Sequence, residues 1–495
     1  MSKNDGNLMK NLTMKSGFLT SGCLVLAGLL LEWGIGSVPW KLLAWPVNGF
    51  ALAIFLLIIV LIHFFRRKIK FFRFLSTREA AIPTLVFAVA LTIVMGLTGQ
   101  IFWPLVLIYA CLSVILGLVI LRQIKTATAK LSIVNCKLSI ILHLGFFIAL
   151  TSAALGSADV QRLKMIASVG VAESRAFTSE KIVKELPFNI ELQRFILEKY
   201  DNGTPKRFAS EIRVLTKTGK NIQTTIDVNK PVEVEGWKIY QNGYDTKMGA
   251  SSRISILELV RDPWLPAVYI GIFLMLIGAF FMIFSNIPLK KTIKVVRSHP
   301  KKAFFFALLV ISVFFLVHHF MPILHSKTLV PALQSVWFVP HIVAYMAAYT
   351  LMGTATVIAL YRLATNADST IEDRLVGIGI GLLTVGMLFG ALWAKEAWGH
   401  YWSWDPKETW AAITWLTYLI YLHYRQISRH NRRMAHWLLL VAFALLQMCW
   451  WGIRFLPDAQ GASVHTYAKI NFSCKSKKMS KSFGGSDIYL YLCKR

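Results

Sequence analysis

Residues 375–410 read LVGIGIGLLTVGMLFGALWAKEAWGHYWSWDPKETW, and they join an apolar run to an aromatic loop. The run 375–395 has the composition of a membrane span, which needs about 20 apolar residues. The thirteen positions 398–410 then hold four tryptophans, one tyrosine and one histidine. Tryptophan and tyrosine are enriched where a membrane meets water. The stretch therefore predicts a membrane-spanning helix that ends in a loop at the membrane surface.

The whole chain has the composition of a membrane protein, with 55% hydrophobic and 16% charged residues over 495 positions. Its apolar runs predict a polytopic α-helical membrane protein of about 11 transmembrane helices. The predicted spans are 17–33, 47–65, 81–98, 101–121, 138–158, 264–284, 303–321, 337–361, 375–395, 408–424 and 437–453. We interpret the first as a retained helix, because no small-residue cleavage site follows it.

The net charge is +29, and the distribution of Lys and Arg among the loops follows the predicted topology. The N-terminus and every second loop carry two to six Lys or Arg each, whereas the short loops between them hold only Lys41, Lys327, Lys395, Lys407 and Arg454 in total. The basic loops are 66–80, 122–137, 285–302, 362–374 and 425–436. The positive-inside rule places these loops and the N-terminus in the cytoplasm. Because the basic residues are explained by topology, we expect no nucleic-acid partner.

The polar stretch 159–262 interrupts the spans and is predicted to lie outside the cytoplasmic membrane. Segments such as Val232–Tyr240 alternate apolar and polar residues, which is typical of strands. We expect one small β-rich extracytoplasmic domain. Two dipeptides predict tight turns and one segment predicts a helix: Asn202-Gly203, Asn242-Gly243 and Asn189–Tyr200. Since no nucleophile or metal cluster stands out here, a docking or stabilising role is favoured.

The aromatic loop has a regular pattern, W-G-x-x-W-x-W-D-x-x-E. It is formed by Trp398, Gly399, Trp402, Trp404, Asp405 and Glu408. An interfacial anchor, the alternative interpretation, needs neither fixed spacing nor the two acids. The pattern favours a large flat partner, and haem is the leading candidate. The acids either orient the loop or assist proton transfer, and we prefer the structural role because acids suit the first turn of a helix.

Five of the twelve histidines are candidates for binding. His341, His400 and His465 are predicted on the outer side, beside or within loops. His143 and His423 fall inside two spans at similar depth, near the cytoplasmic surface. Polar groups inside a membrane are functional candidates, and imidazole is the usual nitrogen ligand of haem iron. Structural roles are expected for His63, His299, His318, His319, His325, His430 and His436.

The tryptophan pattern resembles the WWD signature of haem-handling proteins of cytochrome c maturation. The chain is similar to fused system II cytochrome c synthases of the CcsBA type. Residues 300–467 resemble the A-like half, and WLTYLIYLHYR around His423 belongs to it. LSIILHLGFFIALTSAALG at 138–156 and NKPVEVEGWKIYQNGYD at 229–245 resemble the B-like half.

The resemblance implies specific site residues. Haem iron would be held by His341 and His465 at an outer site and by His143 and His423 at a membrane site. Haem would also be contacted by Trp398, Gly399, Trp402, Trp404 and Asp405. The predicted spans and the resemblance together divide the chain into five parts. These are a four-helix region 1–137, which the resemblance covers poorly, a histidine-bearing helix 138–158, a β-rich domain 159–262, a CcsA-like haem-handling domain 263–467 with the WWD loop 396–410, and a basic tail 468–495. The tail departs from the family, which continues into another helix.

The resemblance also implies haem b as ligand and substrate, in the cytoplasmic (inner) membrane of a bacterium. The partner would be an apocytochrome c with a CxxCH segment, kept reduced by thiol-reducing proteins. The six cysteines of this chain have no C-x-x-C spacing, so it does not carry c-type haem itself and is not the thiol reductant. Two alternatives remain: a haem exporter without synthase activity, and a b-type electron-transfer subunit.

Overall fold

The computed structural model describes residues 13–129, 134–287, 308, 329–365, 371–427 and 432–455. Within these ranges the chain forms a bundle of helices and one eight-stranded sheet. The helices are α1 (Met14–Ile35), α2 (Val47–Phe65), α3 (Lys70–Leu75), α4 (Arg78–Thr98), α5 (Trp103–Ala129), α6 (Val134–Gly156), α7 (Leu265–Asn286), α8 (Phe338–Thr365), α9 (Ile371–Trp398), α10 (Pro406–Ile427) and α11 (Arg432–Trp450).

Among the described helices, nine are long and apolar enough to cross a membrane. The two exceptions are α3 and α10. The prediction of a multi-pass helical membrane protein is therefore confirmed. The predicted span 408–424 forms α10, whose polar and aromatic side chains are largely buried by its neighbours, as are Thr414 and Tyr418. A helix enclosed by protein needs no lipid-facing apolar surface. The predicted span 303–321 lies outside the described residues.

The helix α6 packs unusually closely against α7. A Cβ atom added at Gly145 would lie 2.6 Å from the backbone nitrogen of Met275, and one added at Gly278 would lie 2.8 Å from Cβ of Leu142. Small residues allow helix backbones in membranes to approach each other in this way. The contact fixes the segment of α6 that contains His143.

Between α6 and α7 the chain forms a separate β-rich unit, as predicted. Its strands are β1 (Gln161–Ser168), β2 (Ala172–Phe177), β3 (Val183–Lys199), β4 (Pro205–Thr216), β5 (Asn221–Asp227), β6 (Val232–Val234), β7 (Trp237–Tyr244) and β8 (Ile254–Arg261). They pair antiparallel in the order β5-β4-β3-β2-β1-β8-β7-β6. Residues such as Met165, Ile212 and Leu257 form its core and are fully buried.

Two local predictions in this unit were wrong. Asn189–Tyr200 is not helical, because it belongs mainly to β3, where Ile190 and Leu192 are buried at a spacing of two. A register shift after Leu192 interrupts that alternation and hides it in the sequence. Asn242-Gly243 is not a turn but part of β7, at a second register shift. The turn at Asn202-Gly203 is confirmed, and Gly203 has φ +79°.

Asp159 ties the sheet to the helices where β1 follows α6. It accepts hydrogen bonds from the backbone N–H of Trp45, from Asn48 and from the indole N–H of Trp264, each at 2.7 Å. Burial alone would raise the pKa of Asp159, but these three donors stabilise the carboxylate and lower it overall. We call the side of the bundle on which the sheet packs the sheet side, and the opposite side the far side.

Candidate functional site

The tryptophan loop, residues 396–410, leaves α9 at Gly399 (φ +74°) and enters α10 at Pro406. Asp405 accepts a hydrogen bond from the backbone N–H of Glu408 at 2.9 Å. Glu408 in turn accepts bonds from the backbone N–H groups of Ser403 at 2.7 Å and Asp405 at 3.4 Å. This reciprocal capping satisfies donors that a helix start otherwise leaves unpaired. The geometry favours the structural interpretation of the two acids.

The loop presents Trp404 towards the outside of the protein. Its side chain is 41% exposed, and its backbone has φ +59°, a conformation that is strained for a bulky residue. Its ring packs edge-on against Trp402 with centroids 5.7 Å apart. Strain of this kind persists only where the surrounding structure enforces it, and it is concentrated at functional sites. Of the three predicted haem-contacting tryptophans, Trp404 is therefore exposed at the edge of the loop, and the partly buried Trp402 packs against it.

The third, Trp398, belongs to an aromatic row that leads to His341. Trp398 packs against Trp393 with centroids 5.1 Å apart, and Trp393 lies 5.8 Å from the ring of His341. On its other side Trp398 stacks with His400 at 6.3 Å. The structure thus brings His341 to the tryptophan loop. Sequence reasoning missed Trp393, although its position five residues before Trp398, at the end of the same span, was a usable signal.

The ring of His341 is enclosed between α8 and α9. Its Nδ1 lies 2.8 Å from the carbonyl oxygen of Gly386, and it packs edge-on against Tyr345 at 4.7 Å. A Cβ atom added at Gly390 would lie 2.8 Å from Cε1 of the ring. The absence of a side chain at that position is therefore what makes room for the imidazole. The predicted partner of His341, His465, lies outside the described residues, as does the tail 468–495.

The structure brings together the two helices that carry the predicted membrane histidines, His143 on α6 and His423 on α10. These helices contact each other directly, because Phe146 and Trp415 meet edge-on at 5.1 Å. Measured along the helices, His143 lies about 20 Å and His423 about 25 Å from the sheet side. The two imidazoles therefore lie at similar depth, towards the far side.

The three described histidines that are predicted to bind iron share one arrangement. In each ring, Nδ1 lies close to a backbone carbonyl oxygen. The distance is 2.6 Å from His143 to Ser139, 2.7 Å from His423 to Leu419 and 2.8 Å from His341 to Gly386. A carbonyl oxygen only accepts, so Nδ1 must carry the proton and the neutral ring has its lone pair on Nε2. Histidines that bind metals typically donate their other ring N–H in this way. The donor set therefore fits axial ligation of haem iron.

A buried network of charges surrounds the far-side ends of the helices, and sequence reasoning did not find it. Arg425 forms two hydrogen bonds to Asp373 at 2.8 and 2.7 Å, and the hydroxyl of Tyr421 donates to the same carboxylate at 2.6 Å. His423 lies between these two residues in α10, so the network anchors the end of the helix that carries it. The neighbouring acid, Glu372, lies 2.8 Å from Arg362 and 3.1 Å from His436. This contact suits the structural role that the sequence favoured for His436, and that role stays a prediction.

On the sheet side, a buried ion pair connects the tryptophan loop to the β-rich unit. Lys395 lies 3.5 Å from Asp262, and their side chains are 3% and 5% exposed. The ammonium group of Lys395 also donates to the carbonyl of Gly399 at 3.1 Å. A Cβ atom added at Gly399 would lie 2.9 Å from Val260 and 3.0 Å from Tyr240. Gly399 therefore allows the loop to approach the sheet, and its contact with haem stays a prediction.

Comparison with known proteins agrees with this two-part structure. Residues 264–459 match the family described as cytochrome C assembly protein, and residues 137–253 match the ResB-like family. The chain thus joins a ResB-like part to a cytochrome c assembly part, and a fused protein of the CcsBA type fits this order. Residues 1–136 lie outside both matches.

Individual relatives are each similar to part of the chain. The cytochrome c biogenesis protein CcsA of Chlamydomonas reinhardtii is 34% identical over 161 residues, which cover 30% of this chain and 44% of that protein. CcsA of Mesostigma viride is 34% identical over 182 residues, or 29% and 58% of the two chains. CcsA of Synechococcus sp. (strain JA-2-3B'a(2-13)) is 48% identical over 105 residues, or 21% and 29%. The chain therefore spans about half the length of the first two relatives, and less of the third.

Proposed function

We propose that the protein matures c-type cytochromes. It would take up haem b between His143 and His423, hold it on the sheet side at His341 and the tryptophan loop, and present it to an apocytochrome c. The observation that carries this proposal is the shared arrangement of the three histidines, one of which is joined to the tryptophan loop by an aromatic row. The similarity to proteins named for cytochrome c biogenesis supports it.

In the proposed reaction, each cysteine thiol of a CxxCH segment adds across one haem vinyl group. The sulfur bonds to one vinyl carbon and the thiol proton is transferred to the other, so no electrons are gained or lost overall. Both cysteines must be reduced, which requires thiol-reducing proteins as partners. The residues of this chain would contribute positioning, which can supply as much as about 7 to 11 kcal/mol. We place the sheet side outside the cytoplasmic membrane, because the loop charges predict this orientation. The membrane would be that of a bacterium, as the family resemblance implies.

Two roles complete the proposed outer site. His465 would supply the second axial nitrogen opposite His341. Trp398, Trp402 and Trp404 would pack against the porphyrin, while Asp405 holds the loop that carries them. Bound haem would then have one edge towards the exposed ring of Trp404, where a polypeptide can reach it.

The test is co-expression with an apocytochrome c in a bacterium that lacks its own maturation proteins. The intact chain should yield a cytochrome that keeps its haem on a denaturing gel, as seen by peroxidase staining. His341→Ala should lower this yield at least about tenfold, because the iron loses one axial nitrogen, and added imidazole should partly restore it. His63→Ala is the control, since His63 lies at a helix end, where its Nδ1 is 3.3 Å from Arg66, and has no role in either proposed haem site.

Unchanged yield from the double variant His341→Ala and His465→Ala would overturn the outer site. Haem in the purified protein without any thioether product would instead indicate haem transport alone.

A further inference from the structure

The segment 329–334, which we call the strap, leads into α8 and is held by the β-rich unit. Asn229 donates from Nδ2 to the carbonyl oxygen of Pro331 at 2.8 Å. The hydroxyl of Tyr200 donates to the carbonyl of Leu329 at 3.2 Å, and Gln334 donates to that of Lys206 at 2.9 Å. Three bonds therefore connect the sheet to a segment more than a hundred residues away in the sequence.

On its other side the strap is bonded to the aromatic row of the outer site. The indole N–H of Trp393 donates to the carbonyl of Ala332 at 2.8 Å. Just beyond the strap, Ser335 and the indole of Trp337 donate to Glu396 at 3.1 and 2.8 Å. The backbone N–H of His341 then bonds to the carbonyl of Trp337 at 3.0 Å, in the first turn of α8. The strap therefore leads through these bonds directly into the turn of α8 that carries His341.

Packing between the strap and the sheet is incomplete. A cavity of about 150 Å³ separates the strap from the sheet, and its lining includes Pro331, Ala332, Tyr240 and Trp398. Atoms that face a void lose dispersion contacts on that side. The bond from Asn229 to Pro331 therefore connects the sheet to the strap in a region where the van der Waals contact between them is reduced.

The side chain of Asn229 is not needed by its own turn. Asn229 has φ +66°, which asparagine tolerates, and the turn between β5 and β6 closes through the backbone bond from Lys230 to Asp227 at 3.0 Å. Its amide nitrogen bonds instead to the strap, while its Oδ1 is buried without a hydrogen-bond partner among the described residues. Burying an amide oxygen in this way costs free energy, which indicates that the orientation serves the contact with Pro331.

We propose that Asn229 is a positioning residue for the outer site: through the strap, the ResB-like unit sets the placement of His341 and Trp393. This inference rests on the proposed function for its link to haem. The strap contact itself does not depend on haem.

The test compares Asn229→Asp with Asn202→Asp by hydrogen–deuterium exchange of the purified full chain, with no haem added. Asn229→Asp keeps the shape and the left-handed backbone but turns an acceptor towards the carbonyl of Pro331. Amides in 329–341 should then exchange about fivefold faster, as expected from losing one hydrogen bond. Asn202 accepts a bond from the N–H of Thr204 at 3.0 Å, and Asp at that position keeps it, so this control should leave the segment unchanged.

A second variant, Asn229→Gly, removes the side chain without adding a charge, and it should reproduce the faster exchange in 329–341. Unchanged exchange there in both variants would overturn the inference, and so would an equal rise throughout the strands of the sheet. With haem added, Asn229→Asp should also shift the absorption spectrum towards that of His341→Ala, and imidazole should reverse the shift. If the absorption spectrum with haem is the same for His341→Ala as for the unmodified chain, the proposed function fails. The hydrogen–deuterium exchange measured without haem still decides the role of the strap.

Discussion

The membrane site and the outer site fix their histidines in different ways. His143 and His423 each donate to the carbonyl four residues earlier in their own helix. His341 donates to Gly386, which belongs to a different helix. The membrane pair therefore keeps its tautomer wherever its helices move, whereas the orientation of His341 depends on the packing of α8 against α9.

This difference suits two different tasks. A pair of locally fixed ligands can separate to admit or release a flat ligand without losing the nitrogen that binds it. A ligand fixed by tertiary packing is held in one position, which is what presenting a vinyl group to a second protein requires. We therefore expect perturbations of packing and of the sheet to affect the outer site, and the membrane pair to respond mainly to loss of the imidazoles themselves.

The largest effect should come from the aromatic surface of the outer site. Replacing Trp398, Trp402 and Trp404 by alanine removes three rings that can pack against a porphyrin, and such contacts contribute about 0.5 to 1.5 kcal/mol each beyond the area that they bury. Haem retained by the purified protein should fall at least about tenfold, as measured by the pyridine haemochrome assay.

The control for this prediction is the triple replacement of Trp33, Trp40 and Trp45. The first and last of these are 88% and 70% exposed, as expected of interfacial aromatic residues, and the backbone bond from Trp45 to Asp159 survives the change. Equal haem loss from the two triple variants would indicate general destabilisation and would contradict direct contact.

Removing one imidazole of the membrane pair should have a somewhat smaller effect. His143→Ala or His423→Ala should lower the haem that reaches the outer site several-fold to about tenfold, because iron held by one ligand is released more easily. The rate of loading after haem is added to membranes measures this effect, and imidazole should restore it. Normal loading in both variants without imidazole would mean that the pair is structural.

The sequence predicted those features that depend on composition along a single segment. The spans followed from apolar length, and the depth of His143 and His423 followed from counting along two helices. It could not predict Gly386 as the partner of His341, because that contact requires knowledge of how α8 packs on α9. The strand β3 was mistaken for a helix since a register shift breaks its alternation. Local signals were thus sufficient where the determinants are local.

A smaller effect should follow when the packing around His341 is tightened. In Gly390→Ala the new methyl group would lie 2.8 Å from the ring, which must shift or rotate. We expect about three- to fivefold weaker haem binding at the outer site and unchanged loading of the membrane pair, measured by haem titration. Gly353→Ala is the matched control on α8, because its methyl group would meet Phe443 at 3.5 Å, an ordinary contact. Equal weakening in the control would point to helix composition rather than to the ring.

The smallest effect should come from Ser139→Ala. The hydroxyl of Ser139 lies 3.1 Å from Nδ1 of His143, but the carbonyl of the same residue lies closer, at 2.6 Å. Alanine keeps that carbonyl, so Nδ1 should remain protonated and Nε2 should remain the ligand nitrogen. Haem loading should stay within about twofold of that of the unmodified chain. A loss as large as that of His143→Ala would show that the hydroxyl of Ser139, and not its backbone carbonyl, accepts the bond from Nδ1–H and orients the ring. The conclusion that the backbone of its own helix fixes His143 would then fail.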